Sequence, residues 1–392
     1  MKAAGFLKIA AQEPFRLFFP QAMLAGIIGV LLWPLHFWHV TEFYPGLAHI
    51  RIMIFGFFGG FIFGFLGTAL PRMLSSKPFS PPEVGVLLFL HAATVVMFVA
   101  QRIFIGDVFV LALLLAFLAC ASRRFRSRKD VPPPGFVLVA LAFLSVLAGT
   151  LLALVQHYYE LPLFWVYLQR LLGTQGFVLL PILGIGPFIL PRFFGLQSAH
   201  DFPESLSPTA GWTRKALLAL TTGALILISF GAEAAGWFRF AHALRFLTAG
   251  VYLWRELPFD RAPQAGSALG ACLRIALALL LAGFLAVALF PTYQVSLLHL
   301  TLMGGFAVTT FVVATRVTFG HSGNLEKLRS PNRWLLAATG LMLLGMATRI
   351  SGDLWPHLLV SHYIYGTLSW VSGALLWAGV VLPNVFRVEM EG

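Results

Sequence analysis

Apolar stretches of about 20 residues recur along almost the whole length of this chain, and a helix of that length crosses the hydrocarbon core of a bilayer. The composition agrees with this pattern, because 59% of the residues are hydrophobic, 11% are charged and the mean hydropathy is +0.85. These values lie far from those of soluble domains. The sequence therefore predicts an all-α, polytopic membrane helix bundle.

Windows of about 19 residues, broken at charge clusters and at Pro or Gly runs, predict about twelve membrane-spanning helices. The eighth of them, 239–254, is the least apolar because Arg239, His242 and Arg245 interrupt it. We expect residues 1–392 to form a single integral-membrane domain, with 1–16 as an amphipathic lead-in at the membrane surface. The predicted spans are 17–38, 47–71, 84–101, 103–121, 135–157, 163–190, 214–232, 239–254, 268–290, 294–316, 333–352 and 358–384.

Lys and Arg are distributed unevenly between the two sets of loops. Basic residues are retained on the cytoplasmic side during insertion, so the richer side, which includes Lys2, the run RRFRSRK at 123–129 and Arg261, is predicted to be cytoplasmic. Both termini are therefore predicted inside, in a bacterial inner membrane. The asymmetry accounts for the net charge of +12 without a nucleic-acid partner. Only six of the 27 basic residues lie toward the outer side: Arg51, Arg102, Arg170, Arg239, Arg245 and Arg349.

Several functional classes lack their sequence signature. None of the 15 Asp and Glu falls in the middle of a predicted span, whereas proton-coupled transporters usually place a carboxylate near the midplane. No P-loop, Rossmann or GxSxG pattern occurs in a plausible context. Cys120 and Cys272 belong to neither a CxxC motif nor a mixed Cys/His cluster, so we assign them no function.

Histidines are concentrated toward the predicted outer ends of the spans. Imidazole is a good ligand for haem iron and copper, and it costs less to bury than a carboxylate. Histidines at one level on several helices therefore predict a buried haem or metal site. For each histidine alone, a hydrogen-bonded interfacial residue is the alternative. Eight of the 11 lie toward the outer side: His36, His39, His49, His157, His242, His299, His357 and His362.

His49, His299 and His362 are the best candidate ligands, because each lies within about one turn of the outer end of a long apolar helix. Glycines that follow the first two would let a flat macrocycle, or another helix, approach closely. Arg170 and Arg349 lie about one to two turns inside outer helix ends. There they would pair with haem propionates or extend toward water.

Four segments resemble the NnrS family of membrane proteins. The resemblance implies haem, copper and a role in the nitric oxide metabolism of denitrifying and NO-stressed bacteria. The positions that it matches are His49, His299, Arg316, His321 and Gly323. The segments are EPFRLFFP at 13–20, AHIRIMIFGFFGGFIFGFLGTALPR at 48–72, QGFVLLPILGIGPFILPRFFG at 175–195 and HLTLMGGFAVTTFVVATRVTFGHSGN at 299–324.

The chain departs from the family's pattern at two positions. Arg51 stands where the family commonly has a second histidine, which would alter a metal site that needs both imidazoles. Asn324 replaces a basic residue in the closing turn and removes the charge for an anion contact there. His321 is predicted at the inner side, about one span from the outer histidines, so we expect it to have a structural role in that turn.

Two segments, 48–72 and 361–379, are also weakly similar to helices of haem–copper oxidase subunit one. That similarity implies His49 and His362 as the axial pair of one haem, and His299 as a ligand of a second haem or of copper.

These observations predict a haem-binding membrane protein that binds or reduces nitric oxide, or a related small redox ligand, near the outer face, with copper as a second expected metal. An NO reductase-like oxidoreductase would also need an electron donor, such as a quinol or a cytochrome. The alternatives are a small-molecule transporter and a haem-dependent membrane sensor without turnover.

Overall fold

A computed structural model describes residues 3–257, 267–329 and 331–387. These residues form helices and connecting turns and contain no strand, as predicted. Lys2 and Arg261, two of the basic residues used to predict the orientation, lie outside the described residues.

Eleven helices in the described part of the chain are long and apolar enough to cross a membrane. Helices are the expected solution, because in hydrocarbon each backbone N–H and C=O must be satisfied within its own segment. The helices are α1 Ala3–Gln12, α2 Phe15–Phe37, α3 Gly46–Met73, α4 Pro81–Val99, α5 Ile103–Arg126, α6 Phe136–Tyr158, α7 Leu163–Phe194, α8 Ala210–Ala234, α9 Phe238–Glu256, α10 Ala268–Leu289, α11 Pro291–Gly320, α12 Arg333–Leu354 and α13 Pro356–Phe386.

Local signals set the helix ends. Ser80 and Glu83 form a capping box at the start of α4, with Pro81 in its first turn. Gly236 adopts a φ of 90° in the short turn between α8 and α9, a conformation that favours glycine. Because this turn is so short, α8 and α9 pack as antiparallel neighbours.

The two ends of the described chain meet at one end of the bundle. Phe6 of α1 packs against Phe386 of α13, with ring centroids 5.5 Å apart. Arg16 of α2 donates a hydrogen bond of 2.6 Å from Nη1 to the carbonyl oxygen of Val385. An odd number of crossings would place these segments at opposite ends. Counted together with the less apolar helix α9, the eleven candidate spans give an even number of helices, which agrees with the meeting of the two ends.

Helices α3 and α7 lie at the centre of the bundle. Their apolar windows are 78% and 72% buried, against 33–56% for the other nine candidate spans. Aromatic side chains connect this centre to α11 and α13. Phe57 of α3 lies 5.7 Å from Trp370 of α13, and Phe311 of α11 lies 4.9 Å from Trp377 of α13, measured between ring centroids.

We call the end of the bundle that carries both termini the inner end, and the opposite end the outer end. These names follow the orientation predicted from the basic residues. The cytoplasmic placement of the inner end stays a prediction.

Candidate functional site

His49 and His299 each form a hydrogen bond from one ring nitrogen to a backbone carbonyl oxygen. The Nδ1 atom of His49 lies 2.9 Å from the carbonyl oxygen of Gly29 on α2. The Nδ1 atom of His299 lies 2.8 Å from the carbonyl oxygen of Val295, one turn earlier on α11. A carbonyl oxygen only accepts, so each ring donates from Nδ1 and carries its lone pair on Nε2. This tautomer binds a metal through Nε2.

The structure brings these two histidines together with Arg349. The Arg349 guanidinium on α12 lies within electrostatic range of both imidazoles, and His49 lies within range of His299. Residues of α3, α11 and α12 therefore lie near one another toward the outer end of the bundle. Three of the five predicted site residues are members of this group.

Arg349 is held by a polar cluster of its own. Its Nη1 atom lies 2.8 Å from Oδ2 of Asp353, and its Cζ atom lies 3.9 Å from the ring centroid of Tyr363. Tyr363 donates from its hydroxyl to Oδ1 of Asp353 at 3.3 Å, and Ser296 of α11 donates to Oδ2. An anionic group that approached Arg349 would therefore share this guanidinium with Asp353.

Trp33 of α2 connects the histidine level to that cluster. Its ring lies 5.9 Å from the His49 ring, 4.9 Å from the Tyr363 ring and 5.5 Å from the Tyr44 ring, all edge-on. Edge-to-face aromatic contacts of this kind are directional. Trp33 therefore limits the orientations that the His49 ring can adopt.

His362 is a third histidine whose Nε2 carries the lone pair. Its Nδ1 atom bonds to a side-chain hydroxyl, that of Ser351, and not to a backbone carbonyl oxygen. The Ser351 hydroxyl donates to the carbonyl oxygen of Thr348 at 2.8 Å, so it accepts from Nδ1 of His362, also at 2.8 Å. Within the described residues, no hydrogen bond or ring contact connects His362 to His49 or to His299.

Arg170 lies on the outer part of α7 and is exposed. Its guanidinium lies 6.0 Å from the ring of Tyr167 and forms no ion pair with a carboxylate of the described residues. The charge of Arg170 acts on Arg51 of α3. Arg170 therefore keeps a charge that an anionic group could neutralise.

Arg51, which stands where the family commonly has a histidine, is engaged by α5. Its Nη2 atom lies 3.0 Å from Oδ2 of Asp107, and the two side chains are 12% and 5% exposed. Nε of Arg51 and Oδ1 of Asp107 are buried without a hydrogen-bond partner in the protein. Arg51 therefore connects α3 to α5 through a buried ion pair.

The donor set suits haem better than a bare metal ion. No three His, Cys, Asp or Glu side chains of the described residues are grouped so that they could hold a metal ion. Copper sites with imidazole ligands use three or more donors. A haem iron needs only one or two protein ligands, because the porphyrin supplies the others. His49 and His299 fit that requirement.

Three helices adopt π-helical geometry close to the candidate residues. The π segment Ile52–Phe58 begins three residues after His49, and Leu300–Ala307 begins directly after His299. The third, Leu172–Gly176, begins two residues after Arg170. Among the described residues, π geometry occurs only in α3, α7 and α11, which are spaced four helices apart. Such segments are rare and are frequent at functional sites. Sequence reasoning missed them.

Neighbouring side chains satisfy polar groups inside these π segments. His91 of α4 donates from Nε2 to the carbonyl oxygen of Gly56 at 2.8 Å, and Ser145 of α6 donates to that of Leu172 at 3.1 Å. Because π geometry displaces the usual backbone hydrogen bonds, donors of this kind stabilise it. His91 thus supports the backbone of the helix that carries His49.

A buried ion pair lies beside the third segment. Arg245 of α9 pairs with Glu233 of α8 and donates from Nη1 to Oε1 of Gln175 at 3.0 Å. Gln294 of α11 donates to the same carboxylate, and His242 Nε2 lies 3.3 Å from it. Arg245 and His242 are fully buried. This cluster joins α7, α8, α9 and α11 at the outer level.

The family model of NnrS, described as NnrS protein, matches residues 10–388. The chain belongs to the NnrS family. The match includes all four segments whose resemblance the sequence indicated, so that prediction is confirmed. NnrS membership fits a multi-pass membrane protein of the nitric oxide response. No curated protein matches the chain.

Three of the four segments that resemble the NnrS family meet at the inner end. Arg72 Nη2 and His321 Nδ1 each lie 2.6 Å from Oε1 of Glu13, and Arg16 Nη2 lies 2.6 Å from Oε2. Burial raises the pKa of Glu13, but the hydrogen bonds and charges of His321 and Arg16 outweigh this effect and lower the pKa to about 2. His321 thus belongs to a cluster of ion pairs at the inner end, and its structural role stays a prediction.

Proposed function

We propose that this NnrS-family protein binds haem near the outer end of the bundle, with Nε2 of His49 and Nε2 of His299 as the iron ligands. The observation that carries the proposal is the pair of Nδ1 hydrogen bonds, 2.9 Å to Gly29 and 2.8 Å to Val295. These bonds leave both lone pairs on Nε2 at one level of the bundle. When bound, haem would supply an iron that exchanges electrons, and nitric oxide would coordinate that iron by taking the place of one of the two imidazoles.

The arginines of the outer level supply positive charge for the propionates. Arg349 lies within electrostatic range of both histidines, and Arg170 forms no ion pair with a carboxylate of the described residues. A guanidinium binds a carboxylate through charge-assisted hydrogen bonds. Asp353 holds Arg349 in position through its 2.8 Å ion pair, with Ser296 and Tyr363 fixing the carboxylate.

We further propose that the bound nitric oxide is reduced. Two molecules of NO, two electrons and two protons give one N₂O and one water. A quinol or a cytochrome in the bacterial inner membrane would supply the electrons. Protons would come from the outer side, where Tyr363 and Asp353 form a hydrogen-bonded pair, so they need not cross the bilayer.

His362 is proposed as a ligand of a second centre, either another haem or copper. Its Nδ1 atom is committed to Ser351, which leaves Nε2 free on the face of α13 toward α12. A copper ion there would need further donors from groups outside the described cluster.

The test is an optical spectrum of the full-length protein, purified in detergent from cells grown with haem precursor. We expect a Soret band that changes on reduction with dithionite and again on addition of NO. Electrode traces of NO consumption with a reduced quinol then distinguish turnover from binding. Haem without consumption would indicate a sensor, and a colourless protein would support a transporter and contradict the proposal.

A further inference from the structure

A basic surface lies at the inner end of the bundle, where α5 ends. The run RRFRSRK at 123–129 contains five cations in seven residues, and the loop between α3 and α4 adds Lys77. Arg124 is buried, whereas the other five basic residues are exposed. We use the name basic patch for these five exposed residues: Lys77, Arg123, Arg126, Arg128 and Lys129.

The buried Arg124 joins the two segments of the basic patch. Its guanidinium donates from Nη1 and Nη2 to the two carboxylate oxygens of Glu83, each at 2.6 Å, and from Nη2 to the carbonyl oxygen of Pro78 at 2.9 Å. Its Cζ atom lies 4.2 Å from the ring centroid of Phe79. The residue after Lys77 is therefore fixed against the end of α5, which places both segments on one surface.

Backbone contacts hold the chain beyond α5 as well. The N–H of Lys129 donates to the carbonyl oxygen of Leu74, at the end of α3, at 2.9 Å. The N–H of Ser205 donates to Oδ1 of Asp130, also at 2.9 Å. A surface that is already ordered loses less conformational entropy when it binds a partner.

Positive charge exceeds negative charge on this surface. Because Arg124 binds both oxygens of Glu83, that carboxylate offsets little of the exposed charge. Arg123 lies 3.3 Å from the same carboxylate and keeps 70% of its side chain exposed. Asp130 and Glu204 also lie at the border of the patch, where they accept hydrogen bonds from Ser205 and Ser75. The basic patch therefore favours an anionic partner.

Depth in the membrane selects the class of partner. Helix α5 has 24 residues, so at 1.5 Å per residue it is about 36 Å long, whereas the hydrocarbon core is about 30 Å thick. Its last turn, which includes Arg123 and Arg126, therefore reaches the headgroup layer. Phe125 lies between these two residues and is 37% exposed, and apolar side chains beside cations are typical of helices at the membrane surface. Lipid phosphates lie at the same level as these cations.

We propose that the basic patch binds the headgroups of anionic phospholipids. Basic clusters directly beyond a membrane-spanning helix attract anionic headgroups, and a phosphate accepts charge-assisted hydrogen bonds from Arg. Retention of basic residues during insertion explains the side on which they lie. Bound lipid is an additional role of the same residues in the folded protein, and it is independent of the proposed haem site.

Native mass spectrometry of the full-length protein, delipidated in detergent, tests this interaction. Phosphatidylglycerol and phosphatidylcholine with the same acyl chains are titrated separately. We expect tighter binding of phosphatidylglycerol, with a preference that decreases as the ammonium acetate concentration rises, because salt screens exposed charges. The variant Arg126→Gln/Arg128→Gln/Lys129→Gln should reduce this preference by about tenfold or more.

Two further variants serve as controls. The matched control removes the same charge from exposed positions elsewhere at the inner end and should keep the preference. The charge-preserving variant Arg126→Lys/Arg128→Lys should keep most of it. All three variants change exposed residues, so their melting midpoints should equal that of the unmodified protein. The matched control carries Arg214→Gln, Arg255→Gln and Arg333→Gln.

Three results would overturn the assignment. Equal affinities of the unmodified protein for the two lipids would contradict a site for anionic headgroups. An equal loss of preference in the Gln variant and in its matched control would trace the effect to net charge and overturn the basic patch as the site. Binding of a polyglutamate peptide that depends on the patch, without any preference for phosphatidylglycerol, would assign the surface to an acidic protein and overturn lipid as its partner.

Discussion

The Nε2 atom of His91 lies 2.8 Å from the carbonyl oxygen of Gly56, inside the π segment that begins three residues after His49. A side chain at Gly60 would prevent this approach, since a Cβ atom there would lie 2.9 Å from the same nitrogen. His91 is fully buried. A histidine of α4 thus stabilises the unusual backbone of the helix that carries a candidate ligand.

Replacing His91 with alanine should destabilise the protein. The Gly56 carbonyl would lose its donor in an apolar core, at a cost of about 1–3 kcal/mol. We expect a lower midpoint of thermal unfolding in detergent, followed by tryptophan fluorescence. The exposed His357 provides the control His357→Ala, which should unfold like the unmodified protein. Equal midpoints for the His91 and His357 variants would show that the hydrogen bond is not important.

Breaking the buried pair of Glu233 and Arg245 should have a larger effect. Arg245→Met leaves a buried carboxylate without its cation, and loss of one partner of such a pair costs about 3–5 kcal/mol. The double variant Glu233→Leu/Arg245→Met removes both charges and should recover much of that loss in the same melting assay. Arg239→Met, at an exposed position of the same helix, is the matched control. If the loss of stability in the double variant equalled the sum of the losses from Glu233→Leu and Arg245→Met alone, this result would contradict a coupled pair.

Acid should weaken the ion-pair cluster that Glu13 forms with Arg16, Arg72 and His321 at the inner end. The pKa of Glu13 is lowered from 4.5 to about 2, so the folded state favours the ionised carboxylate. The contribution of the Glu13 carboxylate to the free energy of unfolding is complete above pH 4.5. It is lost as the pH falls from 4.5 toward 2. Glu13→Gln should therefore lower the melting midpoint at pH 7, and the difference should shrink below pH 4.5. Glu42→Gln, at an exposed position, should show neither effect.

The predicted orientation can be tested with single cysteines. Cys120 and Cys272 are buried in the structure, which leaves a low background for labelling. Tyr159→Cys should react with an impermeant maleimide in intact cells, whereas Ser207→Cys should react only after the membrane is opened. Both positions are exposed, at the outer and the inner end respectively. The reverse pattern would place the termini outside.

Most of the fold could be predicted from apolar segment length alone. The predicted spans 47–71 and 239–254 correspond to Gly46–Met73 and Phe238–Glu256. Length and hydropathy are local properties, which explains this success. The even number of helices that includes α9 agrees with the contact between Phe6 and Phe386, which no local window contains.

The candidate site could be predicted only in part. The positions of His49 and His299 relative to the outer ends of their predicted spans placed both residues at one level. The structure adds that both use Nδ1 for a backbone hydrogen bond. The side on which a residue lies depends on helix rotation and packing, so sequence position could not separate His362 from the other two. The π segments also escaped prediction, because they depend on donors from other helices, such as His91.

Haem content per protein is the most direct test of the proposed ligands. It should be measured for His49→Ala, His299→Ala and their double variant, with His357→Ala at an exposed outer position as the control. Each variant is first shown to be folded and monodisperse. We expect the single variants to lose most of the bound haem and the double variant to lose all of it, with the control unchanged. Full haem content in the double variant would contradict the account.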